Sequence, residues 1–248
     1  MTAPALPPLR WVSSAATDVG KVRTLNEDAF LDRTDIGLWA VADGMGGHDA
    51  GDLASRLVVE SLAAVCRPEN LGASVEELRY RLVDVNQSLR LEAARRGEAV
   101  IGSTVAALVV LGRHAVAVWA GDSRVYLARG GSLYRLTRDH SQVEELISSG
   151  SLTPAQAENH PATNVITRAV GGADDLTLDA QIQEIMDGDI CLLCTDGLTK
   201  EVKEQEIAEI LAQGDPSFAA QSLVDLACQR GGRDNVTIIA VRFFDGGS

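Results

Sequence analysis

Five acidic residues stand where an apolar run meets a glycine or a turn, a placement that suits a hard cation bound through oxygen. In LWAVADGMGGHDAGDLASRLV, Asp43 ends an apolar strand and faces a run of glycines before an amphipathic helix. Asp122 ends Val116-Ala-Val-Trp-Ala-Gly121, Asp196 follows Ile190-Cys-Leu-Leu-Cys-Thr, Asp234 follows Gly231-Gly-Arg, and Asn26-Glu27-Asp28 precedes a further strand. Strand, glycine turn, helix is also the layout of loops that cradle phosphate on backbone N–H groups. The spacing argues against that use. From Gly44 and Gly46 the third glycine of a dinucleotide fingerprint falls on Asp49, and no Gly-Lys-Ser/Thr ending follows. A carboxylate at position 43 also sits where the anion belongs. A lone Asp-Gly commonly does no more than stop a strand, with Asp49 or Asp52 capping the helix. Four or five such acids gathered without partners repel one another, and metal ions remove that repulsion. Carboxylate ligands without His or Cys beside them suit Mg²⁺ or Mn²⁺ rather than zinc or copper.

The elements that must position these acids follow from periodicity. Strands are expected at Val12 to Thr17, Ala29 to Leu31 and Leu38 to Ala42, the last apolar enough to be covered on both faces. Asp52 to Cys66 and Val75 to Arg96 carry apolar residues at helical spacing and predict two helices packed side by side as an antiparallel pair. Thr104 to Leu111, Ala115 to Ala120, Arg124 to Arg129 and Ser132 to Thr137, joined by short glycine turns, predict an antiparallel meander. Short helices follow at Ser141 to Ser149, closed by Gly150, and at Pro154 to Glu158, opened by Thr153-Pro154. After Ile166 to Val170 come strands Leu176 to Ile185 and Ile190 to Cys194, helices Glu204 to Gln213 and Ser217 to Gln229, and a closing strand Val236 to Phe243. This mixed order, without βα alternation, predicts an α+β fold. Without a repeat or an interdomain linker, residues 1–248 read as a single domain with an ordered core of about 9–243 and loose ends.

The 248 residues carry a formal net charge of -13, which disfavours nucleic acid or an anionic membrane as partner. No apolar run approaches the ~20 residues of a membrane span and the start lacks a basic-then-apolar leader, so a cytoplasmic protein is expected. Cys66, Cys191, Cys194 and Cys228 are too few and irregular for a disulfide scaffold. Cys191 and Cys194 lie three apart in a strand, point to opposite faces, and so neither bridge nor share a metal. All four read as reduced thiols, mostly in the core.

VGKVRTLNED, VADGMGGHDAG, GSTVAALVV, WAGDSRVYL, LTRDHS, NVITRAVG, LLCTDGL and GGRDNVTIIAV occur in the order seen in PPM/PP2C-type protein serine/threonine phosphatases of the bacterial branch. The resemblance runs from about Ala15 to Val241. It implies a four-layer sandwich, two central antiparallel β-sheets flanked by α-helices, with a two-metal centre at one end. By resemblance Asp43 bridges two Mn²⁺ or Mg²⁺ ions, Gly44 offers a backbone carbonyl, Asp196 and Asp234 bind the second ion, and Asp28 reaches it through water. Asp122, with Asp196, matches the holder of a third, weaker ion in bacterial members, and Asn164 falls near a further ligand to it in some. Arg23 matches the arginine that grips the substrate phosphate, and residues 140–168 correspond to the flap subdomain beside the site.

The reaction so implied is hydrolysis of phosphoserine or phosphothreonine by a metal-activated water, without a phosphoenzyme. No cysteine sits in the C-x₅-R loop of cysteine-dependent phosphatases. Animal and plant members carry a histidine after the Asp-Gly pair to protonate the leaving oxygen; here Met45 stands there, which points to water as the donor. Of the histidines, His114 and His160 read as structural or solvated, His140 as orienting the loop below the site, and His48 as lining the glycine turn. Phosphorylated proteins, with a bacterial Ser/Thr kinase and its substrates, are the expected partners of a monomer. A non-catalytic metal-binding regulator that docks phosphoproteins, or a hydrolase of small phosphorylated metabolites, are the alternatives on the same fold.

Overall fold

The computed structural model describes residues 8–47, 50–67, 69–157 and 160–246. Its strands are β1 (Leu9–Asp18), β2 (Asp28–Arg33), β3 (Leu38–Met45), β4 (Gly102–Ser103), β5 (Val105–Leu111), β6 (His114–Ala120), β7 (Arg124–Arg129), β8 (Ser132–Arg135), β9 (Asp179–Glu184), β10 (Ile190–Cys194) and β11 (Val236–Asp245). Its helices are α1 (Ala50–Ala63), α2 (Leu71–Arg96), α3 (Gln142–Ser148), α4 (Pro154–Ala157), α5 (Asp196–Thr199), α6 (Glu204–Leu211) and α7 (Pro216–Arg230).

Two antiparallel sheets form, one in the order β1-β11-β10-β7-β8 and the other β2-β3-β5-β6-β9, with β4 pairing β3. Strand alternation then sorts the apolar residues into three buried layers. Trp39, Val41, Leu108, Leu193, Val241 and Phe243 fill the space between the sheets. Their neighbours Leu38 and Ala40 point the other way, against Leu62, Leu78, Leu82 and Leu89 of α1 and α2. Leu192, Ile238 and Ala240 do the same against Ile207, Leu211, Leu223 and Val224 of α6 and α7. Each fully buried Leu, Val or Phe contributes about 1.5–3 kcal/mol, so four layers close on three cores. This is the α+β sandwich expected. The C-x-x-C pair obeys the same alternation: Cys191 lies between the sheets and Cys194 beneath the helices. All four cysteines are free, although Cys66 is exposed and only Cys191 and Cys194 are fully buried.

Three differences from expectation bear on the site. β3 runs on through Asp43 to Met45, because Gly44 and Met45 pair with Ser103 and Gly102 of the unforeseen β4. β2 starts at Asp28 and β1 extends to Asp18, both held by long-range pairing. The short helix α5, which Asp196 opens, was not foreseen. Residues 166–170 are bridged singly, Ile166 to Ser141 before α3 and Val170 to Ser103 of β4. Asp52 lies inside the first turn of α1 rather than at its cap, and Asp49, His48 and Glu158 fall outside the described residues. Among the described residues no helix is long and apolar enough to cross a membrane.

Candidate active site

At one end of the sandwich, the start of β2 meets the end of β3, and Asp28 lies directly opposite Asp43 in the ladder. Like charges facing each other across strands are destabilising, so the register itself calls for a cation. The backbone at Asp43 is pinned: its N–H donates to Thr104 Oγ1 (3.0 Å), and its carbonyl accepts from Thr104 N–H (2.8 Å) and Ser103 Oγ (3.1 Å). Thr195, the residue before α5, donates its hydroxyl to Asp28 Oδ2 (2.8 Å) and accepts from Thr237 N–H (3.0 Å). Asp196 thereby enters beside Asp28. Asn235 fixes the loop that carries Arg23 and Glu27, accepting from Glu27 N–H (2.8 Å) and donating to Val19 O (2.9 Å) and Leu25 O (3.0 Å). Two glycines are demanded by close approach. A Cβ at Gly44 would stand 1.9 Å from Gly51 O, and one at Gly197 2.0 Å from Asn235 O.

The electrostatics follow from burying acids together. Loss of hydration, reinforced by Asp196 and Asp234, pushes Asp28 up to about 7. Burial pushes Asp122 to about 7 as well, with Asp196 and Asp139 adding repulsion. Asp43 is raised well above its ordinary value by burial and by Asp28, Asp196, Asp122 and Asp234 in turn. Burial raises Asp196 too, against the pull of Lys200. Asp28 Oδ1, Asp122 Oδ1, Asp196 Oδ1 and Glu27 Oε1 are buried without a hydrogen-bond partner. Such orphaned acceptors are costly unless a cation meets them. Two side-chain cations meet part of the need: Lys200 Nζ lies 2.5 Å from Asp196 Oδ2 and 3.2 Å from Asp234 Oδ2, and Arg23 Nε lies 3.0 Å from Asp234 Oδ1. With these pairings in place, no three acidic, histidine or cysteine side chains among the described residues close around one point as a finished cage. The donor set nonetheless fits a divalent ion, because its side chains are carboxylates without His or Cys and several of their oxygens are buried without a partner.

Residues 20–227 match the family described as Protein phosphatase 2C. The chain belongs to that family. This phosphatase 2C chain is 35% identical over 236 residues to the protein phosphatase PhpP of Streptococcus pneumoniae, covering 92% of this chain and 96% of the relative. It is 44% identical to PppA, described as a key regulatory component of T6SS in Pseudomonas aeruginosa, whose structure superposes with a TM-score of 0.89 over 94% of this chain and 98% of that one. The catalytic domain of the serine/threonine phosphatase PstP, solved in complex with two manganese ions, is 34% identical with a TM-score of 0.86, covering 96% of this chain and 100% of that one. PstP of Mycobacterium tuberculosis is longer, and this phosphatase 2C chain spans 45% of its length.

Within this phosphatase 2C site, the charges of Asp196 and Asp234 act on Asp28 and Asp43, Asp28 and Asp122 act on Asp43, and Asp196 acts on Asp122. Arg23 has a half-exposed side chain and spends its guanidinium on Asp234. Met45, beside Gly102, lines a groove of about 350 Å³ with Val100, Ile166, Arg168 and Leu176. Asn164 is exposed, and no described hydrogen bond ties it to Asp122. His114 is exposed at the start of β6, and His160 Nδ1 accepts from Ala162 N–H (3.2 Å). Sequence reasoning passed over Glu27 and Lys200. Glu27 could have been found beside Asp28 in Asn-Glu-Asp, and Lys200 by its spacing of four from Asp196 on a helix.

Proposed function

We propose that this phosphatase holds two divalent cations, Mn²⁺ or Mg²⁺, in the acid cluster and hydrolyses phosphoserine and phosphothreonine on proteins by direct attack of water. The observation that carries this reading is the set of unpartnered carboxylate oxygens on Asp28, Asp122 and Asp196 beside Asp43. Family membership and the two manganese ions in the PstP catalytic domain support it. When bound, the ions supply a water acidified toward neutrality and positive charge against the phosphoryl oxygens. Asp43, the Gly44 carbonyl, Asp196 and Asp234 would hold the two ions, with Asp28 beside them. Asp122 and Asp196 offer a weaker third place.

Arg23 turns from Asp234 to the substrate phosphate, where its planar fork can donate two parallel hydrogen bonds. A new P–O bond forms from water as the bond to the serine or threonine oxygen breaks, and that oxygen leaves with a proton. Met45 has none to give, so water at the site supplies it. We place the whole chain as one catalytic domain in the cytoplasm, acting on a bacterial Ser/Thr kinase and that kinase's substrates. The 44% identity to PppA makes a phosphoprotein of a secretion system the first candidate target.

The test is phosphate release from phosphothreonine peptides in Mn²⁺, with chelator as control and small phosphorylated metabolites as competing substrates. Turnover of the peptides, abolished by chelator, is expected. Turnover of metabolites alone would make it a small-molecule hydrolase, and no turnover at all would leave a docking regulator.

A further inference from the structure

The loop that carries Asp122 turns at Gly121, which has φ +112° and whose Cβ would lie 2.6 Å from Thr104 Cβ. Only glycine suits that turn, and glycine alone leaves it deformable. Asp122 needs it rigid. Its Oδ1 is buried with no partner, so the aim of its carboxylate depends on the backbone around it. Ser123 holds one side through Thr104 Oγ1 (2.7 Å), the same threonine that pins Asp43.

His140 holds the other side. Its Nδ1 accepts from Gly121 N–H (3.2 Å), and its backbone N–H donates to Gly121 O (2.9 Å). An accepting Nδ1 leaves the ring proton on Nε2, which faces Asp179 Oδ2 at 3.1 Å. Arg168 secures that aspartate with Nη1 3.1 Å from Oδ1. The imidazole stacks on Trp119, with centroids 6.1 Å apart at 15°. Burial holds the ring below its ordinary pKa, which suits the neutral tautomer. The ring is almost wholly enclosed and both nitrogens are engaged, so it cannot reach substrate. Its backbone and that of Gln142 fasten the stretch that follows: Thr167 N–H donates to His140 O (2.8 Å) and Gln142 N–H to Val165 O (2.9 Å).

We propose that His140 is a positioning residue for Asp122, clamping Gly121 through Nδ1 with a tautomer set by Asp179, and so joining the 140–168 segment to the weaker cation place. This rests on the reading of Asp122 as a cation holder.

The test is Mn²⁺ titration by calorimetry of the wild type, Asp122→Ala, His140→Phe, His140→Asn and the Asp122→Ala/His140→Phe double variant, each first melted in chelator to check folding. Phenylalanine keeps the stack on Trp119 but offers Gly121 no acceptor, whereas asparagine can place an oxygen near the position of Nδ1. His140→Phe is expected to weaken Mn²⁺ binding about threefold to tenfold, the range of one hydrogen bond. His140→Asn should restore it to within about twofold, and His140→Phe should add nothing to Asp122→Ala. The proposal is overturned by an equal His140→Phe effect with and without Asp122, by no effect, or by asparagine failing as badly as phenylalanine. Unchanged Mn²⁺ binding in Asp122→Ala would instead remove the reading on which it rests. Should His140→Phe not fold, Asp179→Ala takes its place, with a smaller loss that vanishes in Asp122→Ala expected and an additive loss contradicting.

Discussion

Removing metal at different pH should expose the cost of gathering these acids. In the folded chain Asp28 and Asp122 are pushed up to about 7, against an ordinary 3.8. Without metal, the folded state therefore holds protons that the unfolded chain releases. Stability from this source is complete below the ordinary value and is lost as pH rises through about 7. Between about pH 5 and pH 8 each acid removes about two pKa units, or ~2.7 kcal/mol. Both are repelled by Asp196, so their effects overlap, and ~3 kcal/mol is the expected loss for the pair. For a chain of this size that corresponds to a fall in Tm of about 6–12 °C. Bound Mn²⁺ reverses the sign, because it binds the deprotonated carboxylates. His140, held below its ordinary pKa by burial, contributes a rise over part of the same range. The readout is thus the gap between Tm in saturating Mn²⁺ and Tm in chelator, by scanning calorimetry. It should widen from pH 5 to pH 8 and widen less in Asp28→Asn. A constant or narrowing gap would refute the reasoning.

Lys200→Met should lower Tm in chelator and tighten Mn²⁺ binding about threefold or more, since the ion no longer displaces an ammonium from Asp196 and Asp234; unchanged affinity by calorimetry would mean that Lys200 does not compete. Arg23→Ala should lower kcat/KM by the roughly 1.5–3 kcal/mol of a hydrogen bond to a charged group, about ten- to 150-fold. A kcat/KM unchanged from the wild type with two different phosphopeptides would take Arg23 out of the site. Met45→His should speed hydrolysis of phosphothreonine peptides relative to p-nitrophenyl phosphate, whose leaving group needs no proton, and the gain should fade as the imidazolium deprotonates. Equal effects on both substrates, with Mn²⁺ content intact, would show that position 45 does not face the leaving oxygen.

The layers were legible because strand alternation is local: Leu38 and Trp39, or Cys191 and Cys194, reveal opposite faces by spacing alone. The acids were legible as strand ends next to glycines. Their meeting was not, because it depends on pairings far apart in sequence, such as Asp28 with Asp43 and the ten-residue register of β1 on β11. The ends of β3 were misjudged for the same reason, since Gly44 and Met45 look like a turn until Gly102 and Ser103 pair with them. Lys200 and Glu27 escaped notice because a charged residue on a short helix or in a loop reads as solvated until its partners are known.

The claim that Asp43 sits between two cations is tested most directly by titrating wild type and Asp43→Asn with Mn²⁺ while measuring phosphate release from a phosphothreonine peptide in the same samples. Asparagine keeps the shape of the side chain and removes its charge. The wild type should bind at least two Mn²⁺ and turn over, whereas Asp43→Asn should remain folded, bind at most one tightly, and lose turnover by orders of magnitude. Two tightly bound Mn²⁺ with near-full activity in Asp43→Asn would contradict the two-cation account.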